Sequence, residues 1–179
     1  MEDCTIYYDD RKSSCRMYAK YLEEQEGILC RKASGVSGEA IIFEKSRRVG
    51  FLFESQKEHA PECIRNILSR IVMDKNGWIF LGVTGGEHEL QALKTASEEL
   101  ERRGYQVSML YSRFLMEKNH LDAEEAVQKI LEDMEVRKAA YPALKEKIHG
   151  LTKKDLRKAL RLAFRDYRSY QKKEQKKKV

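Results

Sequence analysis

Trp78-Ile79-Phe80-Leu81-Gly82-Val83-Thr84-Gly85-Gly86 is an apolar run that ends in a threonine and two glycines. Its first six residues never alternate polar with apolar, so they predict a strand buried on both faces, as in the middle of a parallel sheet. A second run of this kind, Val49-Gly50-Phe51-Leu52-Phe53, precedes it. Between the two, Ile64, Ile67, Leu68, Ile71 and Val72 recur at i, i+3, i+4, i+7 and i+8, one face of an amphipathic helix. Strand, helix and strand within about 35 residues make a βαβ unit, whose crossover is almost always right-handed.

Working outward toward the N-terminus, Cys4-Thr5-Ile6-Tyr7-Tyr8 predicts a first strand, and residues 9–14 a polar loop. Residues 15–25 predict a helix with Tyr18, Tyr21 and Leu22 inward, Ser13 or Ser14 as its cap and Gly27 as its stop. Ile28-Leu29-Cys30 predicts a second strand, and the Ser- and Gly-rich residues 31–38 a loop. Ala40-Ile41-Ile42-Phe43 is compatible with a short strand or with an apolar segment laid across the sheet edge.

Toward the C-terminus, Leu90, Leu93, Ala96 and Leu100 mark a third helix closed by Gly104. Residues 105–114 predict a fifth strand, and residues 121–137 a helix with Ala123, Ala126, Val127, Ile130, Leu131 and Met134 inward. Pro142 interrupts or restarts helix, and Thr152-Lys153-Lys154-Asp155 opens a last helix striped by Leu156, Leu160, Ala163, Phe164 and Tyr167. Strands alternating with helices predict an α/β three-layer sandwich around a five-stranded, mostly parallel sheet in the order 2-1-3-4-5. Residues 1–150 form the domain, and residues 151–179 a C-terminal basic helix and tail that pack on it or extend from it.

A chain of 179 residues, 41% hydrophobic and 36% charged, suits one globular domain with a heavily charged surface. No apolar run approaches the roughly 20 residues of a membrane helix. The opening Met1-Glu2-Asp3-Cys4 leads directly into a strand and has no signal-peptide pattern. Cys4, Cys15, Cys30 and Cys63 lack Cys-x-x-Cys spacing, which disfavours zinc and iron–sulfur sites and fits free thiols in a reducing, cytoplasmic setting. The net charge of +6 divides into +9 from residue 152 onward and −3 before it. The fold itself is thus mildly acidic and the basic character lies in the tail.

From about Thr5 to Asn119 the chain resembles flavodoxin-like domains, in particular the flavodoxin half of bacterial and archaeal flavodoxin–ferredoxin fusion proteins. The likeness rests on Ile6-Tyr7-Tyr8 followed by a six-residue loop, on the helix carrying Ala19-Lys20-Tyr21-Leu22, on Val49-Gly50-Phe51-Leu52-Phe53, and on the strand ending in Thr84-Gly85-Gly86. The resemblance implies an FMN-binding electron-transfer protein or flavin-dependent reductase, with FMN held by Lys12, Ser13, Ser14, Thr84, Gly85 and Gly86. The family's phosphate loop is a Ser-Gly-Thr-Gly-Asn-Ser type sequence, whose glycines let the backbone approach the phosphate. Asp9-Asp10-Arg11-Lys12-Ser13-Ser14 stands in its place, without glycine and with two carboxylates. One carboxylate about 4 Å from a phosphate charge costs about 1 kcal/mol in water and about 4 at a surface-like dielectric. Arg11 and Lys12 offset part of that charge.

The loops that should stack on the flavin, residues 54–61 and 84–89, contain no aromatic residue; His59 is their only stacking candidate in the first, and Pro61 starts the next helix. The reading that follows is a degraded FMN site on an intact scaffold: a non-enzymatic ligand- or partner-binding module, with FMN electron transfer as the alternative. The partner is a protein of unspecified identity, and exposed strand edges and tyrosines permit a homodimer. His59 and His88, with Cys15 and Glu87 near, could form a metal site or acid/base pair, but two solvated histidines are the simpler account. Cys15 opens a helix, where the dipole lowers a thiol pKa. The lysines at 172, 173, 176, 177 and 178 could contact nucleic-acid phosphates, but without interleaved aromatics they read as a solvated tail.

Overall fold

Five parallel strands make the main sheet of the computed structural model, which describes residues 3–136, 152, 154–158 and 161. In chain order the elements are β1 (Cys4–Tyr8), α1 (Ser13–Glu23), β2 (Ile28–Lys32), α2 (Ala33–Val36), β3 (Ile42–Phe43) and β4 (Arg48–Ser55). They continue with α3 (Glu62–Arg70), β5 (Ile71–Val72), β6 (Trp78–Gly86), α4 (Glu89–Arg102), β7 (Met109–Ser112), α5 (Arg113–Lys118) and α6 (Ala123–Glu135). The sheet runs β2-β1-β4-β6-β7. Counted among its own five strands this is the order 2-1-3-4-5, so the predicted α/β three-layer sandwich of flavodoxin-like topology is the observed one.

The two central strands are β4 and β6, and both are buried along almost their whole length, which is why neither alternates in sequence. Residues level across the sheet point to the same side. Ile6, Gly50, Phe80 and Met109 are level, as are Tyr8, Leu52, Gly82 and Tyr111. Phe80 lies across Gly50: a Cβ there would come within 2.2 Å of the Phe80 ring, so the ring fits only because the neighbouring strand has no side chain at that point. Phe80 in turn meets Tyr111 edge-on, 5.7 Å between centroids.

Tyr111 leads to the face covered by α6. Its hydroxyl donates to Asp133 Oδ2 at 2.9 Å, and Lys129 Nζ meets the same oxygen at 2.5 Å and lies 5.6 Å from the Tyr111 ring centroid. All three side chains are buried, and burial beside Asp133 pushes the Tyr111 phenol well up. The α6 stripe of Ala126, Val127, Ile130 and Met134 is buried as predicted, and Asp122 with Glu125 closes a capping box at its start. Lys129 and Asp133 are additions to that buried face.

Several boundaries move. Ile71 and Val72 are not the last turn of the helix: α3 ends at Arg70, and the two residues form β5, paired in parallel with β3 in a separate strip. Ala40-Ile41-Ile42-Phe43 thereby resolves as a short strand over Ile42 and Phe43, outside the main sheet. The predicted loop 31–38 contains the end of β2 and one turn of helix, α2. The fifth strand shrinks to Met109–Ser112: residues 105–108 lie outside the strand ladder, although the Ser108 N–H donates to the Ile79 carbonyl of β6 at 2.7 Å, and Arg113 already begins α5. Tyr21 is only partly buried, its inward place being taken by Ala19.

A polar cluster ties β3 to the sheet. The Tyr7 hydroxyl donates to Glu44 Oε2 at 2.7 Å, the Ser46 N–H to Glu44 Oε1 at 2.8 Å, and Thr5 and Ser46 join hydroxyls at 2.8 Å. Burial works against the charge of Glu44, but these hydrogen bonds outweigh it and hold its carboxyl below the ordinary carboxylate value.

Residues 154–158 are helical, and Thr152 with Asp155 forms the hydrogen bonds of a cap, as the Thr-Lys-Lys-Asp opening predicted. Leu156 is buried. Leu160, Ala163, Phe164 and Tyr167, the segment around Pro142 and the lysine-rich tail lie outside the described residues. Among the described residues no helix is long and apolar enough to cross a membrane.

Candidate functional site

The carboxyl ends of β1, β4, β6 and β7 meet at one edge of the sheet, where open α/β folds hold their ligands. The loop leaving β1 is short: Arg11 N–H donates to Asp9 Oδ1 at 3.2 Å and Lys12 N–H to the Asp9 carbonyl at 3.1 Å, so residues 9–12 turn tightly onto a buried Asp9. Asp10 points away, accepting from the Ser34 N–H and hydroxyl at the start of α2. Neither Ser13 nor Ser14 caps α1. The helix begins at Ser13, with Lys12 as the preceding residue and no side-chain cap.

Ser14 is used otherwise. Its hydroxyl lies 2.7 Å from Glu54 Oε1 and 2.8 Å from Thr84 Oγ1, and Cys15 Sγ lies 3.1 Å from Thr84 Oγ1. A carboxylate only accepts, so Ser14 donates to Glu54, Thr84 then donates to Ser14, and the Cys15 thiol donates to Thr84. Lys12 Nζ adds an ion pair 3.5 Å from Glu54 Oε2. The local fold makes this convergence possible. Phe53 pairs with Val83 but Glu54 pairs with Gly85, which leaves Thr84 as the extra residue of a β-bulge. A bulge re-aims side chains, and here it lets Glu54 and Thr84 face α1 together.

Of the six predicted FMN contacts, Lys12 and Ser14 meet Glu54 directly and Thr84 joins the cluster through the Ser14 hydroxyl. Ser13 is exposed and lines a neighbouring cavity of 330 Å³ with Met17, Tyr18, Thr84 and Arg113. Thr84, Gly85 and Gly86 are not a loop; they are the last three residues of β6. Gly85 is buried against Glu54 and Arg113, and Gly86 has φ +97° with its would-be Cβ 2.2 Å from the Ser55 carbonyl, so only glycine fits there. The loop after β4 is closed as well: Gln56 and His59 exchange backbone hydrogen bonds around Lys57 and Glu58. Lys57 takes φ 57°, the left-handed value such two-residue turns require at their first position.

The two histidines are apart. His59 lines a groove between α3 and α4, whereas His88 lines a cavity between the ends of β6 and β7. Cys15 is buried beneath Thr84 and Glu87 is exposed, so the imagined constellation is not assembled; among the described residues no His/Cys/Asp/Glu cluster is placed to hold a metal ion. The helix-start argument for Cys15 also gives way. Burial pushes its thiol up to about 11, against the opposing pull of the Thr84 and Ser14 hydroxyls. Burial likewise pushes Cys4 up to about 12. In the folded protein a disulfide reagent such as Ellman's is expected to leave Cys4 and Cys15 unmodified at pH ~8, with reaction following only on unfolding. Rapid labelling of Cys15, read by peptide mass, would show the burial to be breached.

The cavity at the ends of β6 and β7 is the other feature that sequence reading passed over. It measures 440 Å³ and is lined by Gly85, Gly86, His88, Arg113, Phe114 and Arg157, among others. Glu89 Oε2 accepts from the Ser112 hydroxyl at 2.6 Å and from the Phe114 N–H at 3.1 Å, which locks the start of α5 to the start of α4. Burial raises the Glu89 carboxyl above its ordinary value despite those bonds.

Compared with known proteins, the chain matches no family model and no curated protein. The fold and the edge of the sheet therefore carry the functional reading alone.

Proposed function

We propose that this chain is a flavodoxin-like scaffold whose FMN phosphate position is filled by its own Glu54, and that it works as a non-enzymatic ligand- or partner-binding module. The observation that supports this reading most directly is the Ser14–Glu54–Thr84 cluster. In the resemblance, Ser14 and Thr84 are hydroxyls for the cofactor; in this chain Ser14 donates to the protein's own Glu54 carboxylate and Thr84 is engaged with Ser14. A phosphate dianion brought to the first turn of α1 meets Glu54 and the buried Asp9, and each such contact near 4 Å opposes binding by about 1–4 kcal/mol. The closed turns after β1 and β4 leave no glycine-rich backbone to compensate.

The test is a titration of free FMN with the purified protein, followed by flavin fluorescence and visible absorbance. No quenching up to ~0.1 mM protein is expected, which places any affinity below about 5.5 kcal/mol. A shifted flavin band with micromolar binding would replace this proposal with electron transfer. The Glu54→Ser variant, which frees Ser14 and Thr84 and removes one charge, is expected to gain flavin affinity; no gain would show that Glu54 is not what closes the site.

A further inference from the structure

The cavity between the ends of β6 and β7 lies one strand further along the edge than Glu54, and its lining is chemically two-sided. Gly85 and Gly86 bring backbone to its surface without side chains in the way. Arg113 and Arg157 supply guanidinium groups, one from the start of α5 and one from the helical residues 154–158. Arg157 makes no hydrogen bond or ion pair with any described residue. Arg113 pairs with Glu117, Nε to Oε1 at 2.5 Å, but both are surface groups four apart on one helix, and such a pair is given up at little cost. Phe114 is the aromatic part of the lining. It is 54% exposed, although the half-buried Glu89 fixes its backbone N–H. An exposed aromatic on a fixed backbone beside two guanidiniums, around 440 Å³, falls in the size and chemistry range of small-molecule sites.

We propose that this cavity binds a small aromatic anion, its charged oxygens held by Arg157 and Arg113 and its ring laid against Phe114. A carboxylate or a phosphate ester both match the planar, forked donors of arginine, and the ring supplies the stacking that neither the β4 loop nor the β6 end can offer. When the anion arrives, Arg113 exchanges Glu117 for the ligand and Glu117 swings into solvent. The inference rests on the ligand-binding reading above and gives it a ligand class.

The experiment is an amide NMR titration of the full chain with benzoate, phenyl phosphate and inorganic phosphate. Saturable shifts at Gly85, Gly86 and Phe114 are expected with the aromatic anions, and the tighter of benzoate and phenyl phosphate identifies the anionic group. Arg157→Gln, an exposed position, is expected to weaken binding tenfold or more, and Phe114→Ala to reduce the aromatic probes to the level of inorganic phosphate. Unchanged affinity in Arg157→Gln, inorganic phosphate bound as tightly as phenyl phosphate, or no saturable shifts in the folded protein would each overturn the proposal. Flavin binding at Ser14 and Thr84 alongside aromatic-anion binding at Phe114 would refute the filled FMN site and leave this one standing. Absence of both ligands would refute this one alone.

Discussion

Replacing Lys129 by alanine is expected to destabilise the protein by about 3–5 kcal/mol, enough to unfold a domain of ordinary stability at modest temperature. Lys129 is fully buried and its ammonium meets Asp133 at 2.5 Å, with the Tyr111 hydroxyl on the same carboxylate. Removing the lysine takes the ammonium away from a buried carboxylate, and the cost of burying Asp133 without it exceeds anything the pair contributes while intact. Denaturant unfolding followed by circular dichroism gives the number. The double variant Lys129→Met with Asp133→Leu is expected to recover most of the loss, since it removes both charges and keeps apolar volume. A single variant within about 1 kcal/mol of the parent would mean that water reaches the pair.

Gly50→Ala is the second large effect, expected at about 2–3 kcal/mol although it adds one methyl group. That methyl would come within 2.2 Å of the Phe80 ring, in the middle of the sheet, with Trp78 and Tyr111 packed around the ring. The strand cannot move aside because it is paired on both edges, with β1 and with β6. Combining Gly50→Ala with Phe80→Leu shortens the side chain that collides, so the pair is expected to be less unstable than the two separate losses added together, by about 1 kcal/mol or more. Simple additivity in that cycle would show that the collision is relieved by other means.

These two sites also show why part of the molecule was readable and part was not. Residues 49–53 and 78–83 announce themselves because both faces of each strand are buried, and burial on both sides writes an unbroken apolar run. The α4 and α6 stripes were equally plain. Lys129 and Asp133 were not, since a lysine and an aspartate four apart look like a solvated pair until β7 brings Tyr111 to them. Ile71 and Val72 kept the helical period by coincidence and left the helix to pair with β3. The site is harder still. Ser14, Glu54 and Thr84 come from three elements, and they face one another only through a bulge that no spacing in the sequence foretells. Phe114 looked like the end of a strand, and its position on the rim of a cavity depends on Glu89 reaching across from α4.

The position of β1 in the sheet has a consequence for how the chain is made. Cys4 pairs with Ile28 on one side and with Arg48 on the other, so β1 sits between a strand that follows it closely and one made much later. Until residues 48–55 have left the ribosome, β1 has an open edge, and its Ile6 and Tyr7 have no β4 to lie against. Parallel pairing at such sequence separation is slow, and an open apolar edge is what chaperones and aggregates recognise. Residues 4–47 are therefore at risk until β4 arrives, and slower synthesis between residues 32 and 55 would lengthen that risk rather than help the fold.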